Sequence, residues 1–234
     1  MANRSVLDPN IEQLRLAIME LGELATDFVF VGGCATGLLV TDPAAPPIRQ
    51  TIDVDAIVEL GSLLDYHKLS ARLHQYGFTE DSSTGAPICR WKKAGLLLDI
   101  MPTNEKILGF GNPWYAPALA HAATCQLPTG ETLALISAPF FLMTKLAAFA
   151  GRGQDNYQAS HDLEDLLAVI DGRPEIIDEV KAAPEDLQKH LQQDLSRLLA
   201  INAFRESLAG HLPPDEASQA RVPVLLERLR SLAG

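Results

Sequence analysis

Two aspartates stand two residues apart inside an apolar, β-branched run, Arg49-Gln50-Thr51-Ile52-Asp53-Val54-Asp55-Ala56-Ile57-Val58. Such a run reads as a strand. Strand side chains alternate between faces, so Asp53 and Asp55 are expected on one face while Ile52, Val54 and Ala56 turn inward. Two carboxylates side by side on a half-buried strand repel each other and resist desolvation, and a bound divalent cation such as Mg2+ compensates for both effects. An isolated Asp-x-Asp is also what two solvated acids at a strand end look like, so the flanking chain has to decide.

Upstream, Phe28-Val29-Phe30-Val31 is a short apolar strand that ends in Gly32-Gly33 and leads into a predicted helix from Cys34 to Val40. Downstream, Gly95-Leu96-Leu97-Leu98-Asp99-Ile100-Met101 is a strand with one acid in an otherwise apolar run. An apolar strand with a Gly pair, then Asp-x-Asp, then a lone Asp on a later strand resembles the nucleotidyltransferase superfamily of DNA polymerase β-like folds. The resemblance implies that Asp53, Asp55 and Asp99 are a catalytic carboxylate triad holding two Mg2+ ions. Such ions clamp the attacking and leaving oxygens of an in-line displacement at the α-phosphate of an NTP. It also implies that Gly32 and Gly33 let the backbone and a helix N-terminus approach the nucleotide phosphates, in keeping with helix N-termini as anion sites. Arg49 and Thr51, directly before the acids, are candidate nucleotide-binding residues. Because removing mutual anionic repulsion should not destabilise the apo fold, Asp53→Ala or Asp55→Ala is expected to abolish transfer without unfolding the protein.

The second half of the chain adds a lysine inside the apolar segment Phe140 to Ala150, which is costly unless its ammonium reaches water or an anion. Lys145 and Arg152 share a face if that helix continues, while Gly151 and Gly153 favour a break. Together with Ser160-His161-Asp162-Leu163-Glu164-Asp165-Leu166 and the Arg49-x-Thr51-x-Asp53-x-Asp55 run, this block resembles the AbiEii-like branch of the superfamily. The branch implies Lys145 as a phosphate ligand, with Arg152 beside it, and an acid on the following helix. The apolar stripe Leu163, Leu166, Leu167 and Ile170 puts Asp162 beside the stripe and Asp165 nearly opposite it, so Asp162 is the catalytic candidate, as general base or positioning group.

Organisation follows from where the pattern changes. Residues 1–137 read as a nucleotidyltransferase core of α+β class, a mixed sheet with flanking helices, and residues 138–234 as a helical bundle contributing to the active-site cleft. Asn10 is a predicted helix cap and Ser62 another. Pro87 to Lys92 and Leu96 to Met101 form a predicted hairpin around Lys93-Ala94-Gly95, with Arg90 and Lys92 on one face, where they could lie near the nucleotide although exposed strand cations are commoner. Helices are predicted over 138–150, 160–171, 174–182, 184–209 and 213–232.

Composition limits the partners. The net charge is −11 over 234 residues, with no basic stripe for long duplex DNA. Cys34, Cys89 and Cys125 are widely spaced thiols without a metal or disulfide pattern. No apolar stretch approaches the ~20 residues of a membrane span, and a cytoplasmic location is expected. The resulting expectation is an Mg2+-dependent nucleotidyltransferase that moves an NMP from an NTP to a hydroxyl acceptor. The AbiEii-like resemblance implies a toxin–antitoxin or phage-defence toxin acting on tRNA or another RNA end, with an antitoxin protein as partner. The alternatives are a small-molecule nucleotidyltransferase of the antibiotic-modifying type and a non-catalytic nucleotide-binding module.

Overall fold

The computed structural model describes residues 8–152 and 155–234, so Gly153, named above as a helix break, lies outside them. The described chain forms two compact units: residues up to Gly37 with Gln50–Ser137, and Leu38–Arg49 with Ala138–Gly234.

The first unit is built on a sheet. Helix α1 (Pro9–Leu21) starts with a proline, whose missing N–H costs nothing in a first turn, and is capped by the Asp8 carboxylate, which accepts from the Asn10 N–H at 2.9 Å. Asn10 is therefore not the cap; it lies inside the first turn, buried. After a 3-10 segment come β1 (Val29–Val31) and α2 (Gly32–Leu39), then β2 (Val54–Val58) and α3 (Leu63–Gln75), which the Ser62 hydroxyl caps. The remaining elements are β3 (Thr79–Glu80), β4 (Arg90–Lys93), β5 (Leu96–Pro102), α4 (Tyr115–Ala120), β6 (Ala123–Gln126) and β7 (Thr132–Leu135). The strands make a seven-stranded mixed sheet in the order β3-β4-β5-β2-β1-β7-β6, with β2 parallel to β5 and β1 parallel to β7. The expected α+β class with a mixed sheet and flanking helices is what the chain adopts. Phe28, Phe30, Phe78 and Trp91 are buried in it. Hairpin β4–β5 closes through Ala94 (φ 49°) and Gly95 (φ 83°), a two-residue left-handed turn that suits the strand twist.

The second unit is helical: α5 (Ala138–Arg152), α6 (His161–Gly172), α7 (Ile176–Ala182), α8 (Glu185–Ala200), α9 (Asn202–Ser207), α10 (Glu216–Gln219) and α11 (Val222–Ala233). Helices α8 and α11 pack together, and Leu187, Leu191, Leu195 and Leu198 of the first and Leu225, Leu229 and Leu232 of the second are buried. The long helix expected over 184–209 breaks at Ile201, which is extended (φ −89°, ψ 120°), and that over 213–232 splits into α10 and α11. Ile201 is neither Gly nor Pro; the turn there seats Phe204 in the core, its ring 6.2 Å from that of Tyr157. The segment Leu38–Arg49, which begins with the last two residues of α2, belongs with these helices because α6 ends on it. The Thr41 and Asp42 N–H groups donate to the Gly172 carbonyl at 2.9 Å, and Arg221 bridges Asp42 and Asp171 at 2.7 Å each. Among the described residues no helix is long and apolar enough to cross a membrane.

Candidate functional site

The register of four strands assembles the acids. Arg90 on β4 stands opposite Asp99 on β5, Asp99 stands beside Asp55 on β2, and Asp55 faces Val31 on β1. In-register neighbours present side chains to the same face, so Arg90, Asp99 and Asp55 form one row. Gly32 follows Val31 directly, with φ +70°. A Cβ on it would lie 1.9 Å from Asp55 Oδ2, so the turn into α2 and the Asp55 carboxylate occupy space that only glycine leaves open. Gly33 is the second residue of α2 and is buried.

Asp53 is not on the strand. β2 begins at Val54, Asp53 lies in the bend before it, and Ile52, expected inward, is 72% exposed. The backbone here is satisfied by side chains instead of a ladder. The Thr51 N–H donates to Asn10 Oδ1 (2.9 Å), the Thr51 hydroxyl donates to the Asp53 carbonyl (3.2 Å), and the Cys34 thiol donates to the same carbonyl (3.0 Å). Thr51, a candidate nucleotide-binding residue, shapes the bend that presents Asp53. Cys34 and Asn10 are positioning residues that sequence reading missed. Cys89 plays no such part: burial pushes its thiol up to about 12, with the Asp99 and Asp55 charges adding to that.

Of the two positions the sequence left open for Arg90, a solvated strand cation or a place near the nucleotide, the structure excludes the first: its side chain is only 14% exposed and lies against the acids. Nε and Nη2 donate as a fork to the two Asp99 oxygens at 2.7 and 2.8 Å, and Nη2 also donates to Asp53 Oδ2 at 2.5 Å. Counting outward from the two-residue turn pairs Arg90 with Asp99, so the hairpin register was the signal available in the sequence. The Asp99 hydrogen bonds raise the pKa of Arg90, and the Asp99 and Asp53 charges add to them, together outweighing the burial that opposes its charge. The pairing also changes the stability expectation, because removing Asp53 takes a partner from a part-buried guanidinium as well as relieving repulsion.

The donor chemistry fits a hard divalent ion: three carboxylates, two on one row and the third in the adjoining bend, with a cation, the Arg90 guanidinium, already held by two of them. Among the described residues no three carboxylate, imidazole or thiol groups converge on a single ion position.

The helical unit holds a second charge cluster. Asp165 accepts a fork from Arg49 (2.9 and 2.8 Å) and a hydrogen bond from Lys145 (2.7 Å), and Asp162 accepts a fork from Arg152 (2.9 and 2.8 Å) with Lys145 3.5 Å away. Helix α5 does continue to Arg152, so Lys145 and Arg152 meet the same acid. Asp165, expected to point away from the buried stripe, is 1% exposed. Apolar residues cover one side of α6 and paired cations cover the other. Lys145 is 7% exposed, and its charge is met by carboxylates.

Burial raises the Asp162 carboxyl, but the Arg152 hydrogen bonds and the Lys145 and Arg152 charges outweigh that and hold it below its ordinary value of 3.8. Asp162 thus anchors Arg152 through a two-bond fork and lies 3.5 Å from the Lys145 ammonium. A depressed carboxyl stabilises the fold above its unfolded value, and that stability is lost as pH falls through the folded one. Melting temperatures measured from about pH 5 down to about pH 2 should therefore fall more steeply for the native chain than for Asp162→Asn.

A cavity of about 530 Å³ is lined by Val58, Lys68, Arg72 and Leu119 among others. It lies at the opposite ends of β1 and β2 from Gly32 and Asp55, and none of the site acids borders it.

No protein-family model and no curated protein matches the chain. Solved structures do match. An antigenic nucleotidyltransferase-like protein from Paracoccidioides brasiliensis aligns with a TM-score of 0.53 at 20% identity, covering 96% of this chain and 94% of that one. JHP933 from Helicobacter pylori aligns with a TM-score of 0.49 at 12% identity, over 98% and 94% of the two chains. The first likeness, with the mixed sheet and its flanking helices, shows that the chain has a nucleotidyltransferase-like fold.

Proposed function

We propose that the chain is a nucleotidyltransferase that moves an NMP from an NTP to a hydroxyl acceptor. The observation that carries the reading is the in-register pair Asp55 and Asp99, with Asp53 in the bend beside them and Gly32 clearing the space in front. A module that only binds nucleotide has little use for three clustered carboxylates, each of which repels a triphosphate.

In this reading Asp53, Asp55 and Asp99 hold Mg2+, which when bound stabilises charge developing on the phosphate oxygens. The chain's own contribution is placement. The parallel register of β2 and β5 fixes the spacing of two carboxylates, while Thr51, Asn10 and Cys34 fix the third. Rigid placement of this kind lets an active site stabilise a transition state without reorganising. Lys145 is proposed to serve the nucleotide phosphates, as the AbiEii-like resemblance implies, and Lys145→Ala should then raise the NTP concentration needed for half-maximal transfer. The same resemblance supports an RNA 3′ end as acceptor and a toxin–antitoxin or phage-defence setting. The net charge of −11 instead favours a small hydroxylated acceptor, which is the second reading.

The test is to incubate the purified chain with each α-32P-labelled NTP, Mg2+ and total RNA, beside Asp55→Asn. Label should enter RNA and fall by roughly a thousandfold or more in the variant, the scale on which loss of an electrostatic transition-state group acts. Label in a small hydroxylated metabolite would move the acceptor to the second reading. Equal labelling by Asp55→Asn would remove Asp55 from the chemistry, and absence of label on RNA, protein or small molecules would overturn the transferase reading.

A further inference from the structure

The row of acids already contains a cation. Asp53, Asp55 and Asp99 bring three negative charges, and the Arg90 guanidinium lies against two of them, with both Asp99 oxygens and one Asp53 oxygen as acceptors. The planar fork of arginine matches a carboxylate in a way that a lysine ammonium does not. Asp99 is itself buried, so its charge needs a partner in the metal-free fold, and the β4–β5 register supplies one by placing Arg90 directly opposite.

Resting on the metal-dependent reading above, we propose that Arg90 is an internal counter-cation that competes with a divalent ion for Asp53 and Asp99. An ion bound to these oxygens would sit within a few ångströms of the guanidinium, and like charges that close in a partly dry site exclude each other. Metal therefore binds the free protein weakly. Loading becomes favourable when a polyanionic ligand gives the guanidinium another partner, for which phosphate oxygens are well matched. The arrangement links occupancy by metal to occupancy by nucleotide and offsets part of the negative charge of an idle triad.

The test is Mn2+ binding to the nucleotide-free chain, read from the electron paramagnetic resonance signal of free Mn2+. Arg90→Gln should bind Mn2+ at least about tenfold more tightly than the native chain, a change of about 1.4 kcal/mol. Arg90→Lys, which keeps the charge but not the fork, should fall between them, and it remains informative if Arg90→Gln melts too low to titrate. Equal Mn2+ affinity in the native chain and Arg90→Lys or Arg90→Gln would overturn the competition while leaving the metal reading in place. Failure of every folded variant to bind Mn2+ at millimolar concentration would overturn both.

Discussion

Asp165→Ala is expected to lower the stability of the helical unit by about 3–5 kcal/mol, the usual cost of removing one partner from a buried ion pair. Asp165 holds Arg49 through two hydrogen bonds and Lys145 through a third, inside α6 and out of water. Without it Lys145 remains buried, with Asp162 at 3.5 Å and already shared with Arg152. Domains are stable by only about 5–15 kcal/mol, so this is a large fraction of the whole. At roughly 2–4 °C per kcal/mol for a chain of this size, the melting temperature should fall by roughly 6–20 °C. The loss arises from stranded charge, so Lys145→Met added to Asp165→Ala should recover part of it, whereas independent sites would add. Urea melts of the two single variants and the double variant decide the matter. A shift under about 2 °C for Asp165→Ala would show that the cluster does not tie α5 to α6.

Gly32→Ala should be destabilising and should also displace Asp55 from its row with Asp99. Two costs act at once. The left-handed backbone at φ +70° disfavours an alanine by about 1–2 kcal/mol. The new Cβ would stand 1.9 Å from Asp55 Oδ2 and 2.5 Å from its Cγ, and relief of such overpacking typically costs about 1–3 kcal/mol more. The sum is about 2–5 kcal/mol, with Asp55 pushed out of line with Asp99 in the molecules that still fold. Gly85→Ala separates the two costs, because Gly85 has φ +84° but nothing within 4 Å of the position its new Cβ would take. It should show only the backbone penalty and keep full labelling activity. Similar losses in both variants would mean that contact with Asp55 contributes nothing.

Much of the sheet unit was legible because its signals are local. An acid in an apolar run stands out, so Asp53, Asp55 and Asp99 could be picked by eye, and the Ser62 and Ser160 hydroxyls cap α3 and α6 where the sequence places helix starts. The misreadings share a cause. Ile52 is exposed, Asp53 precedes the strand, and Asp165 is buried because side chains distant in sequence satisfy the groups involved: Asn10 and Cys34 at the bend, Arg49 and Lys145 at Asp165.

By itself the sequence determined which turn closes β4 on β5 and that Ser62 and Ser160 cap α3 and α6, since these depend on backbone sterics within a few residues. It also supplied the charges that must be compensated wherever they end up. Only the tertiary structure decided which charge compensates which. The parallel pairing of β2 with β5 puts Asp55 beside Asp99, the bend held by Asn10 and Cys34 brings Asp53 to Arg90, and the segment Leu38–Arg49 lays Arg49 on Asp165. Strand register between distant segments is set by the burial of a whole face, a property of the assembled sheet that no local stretch contains.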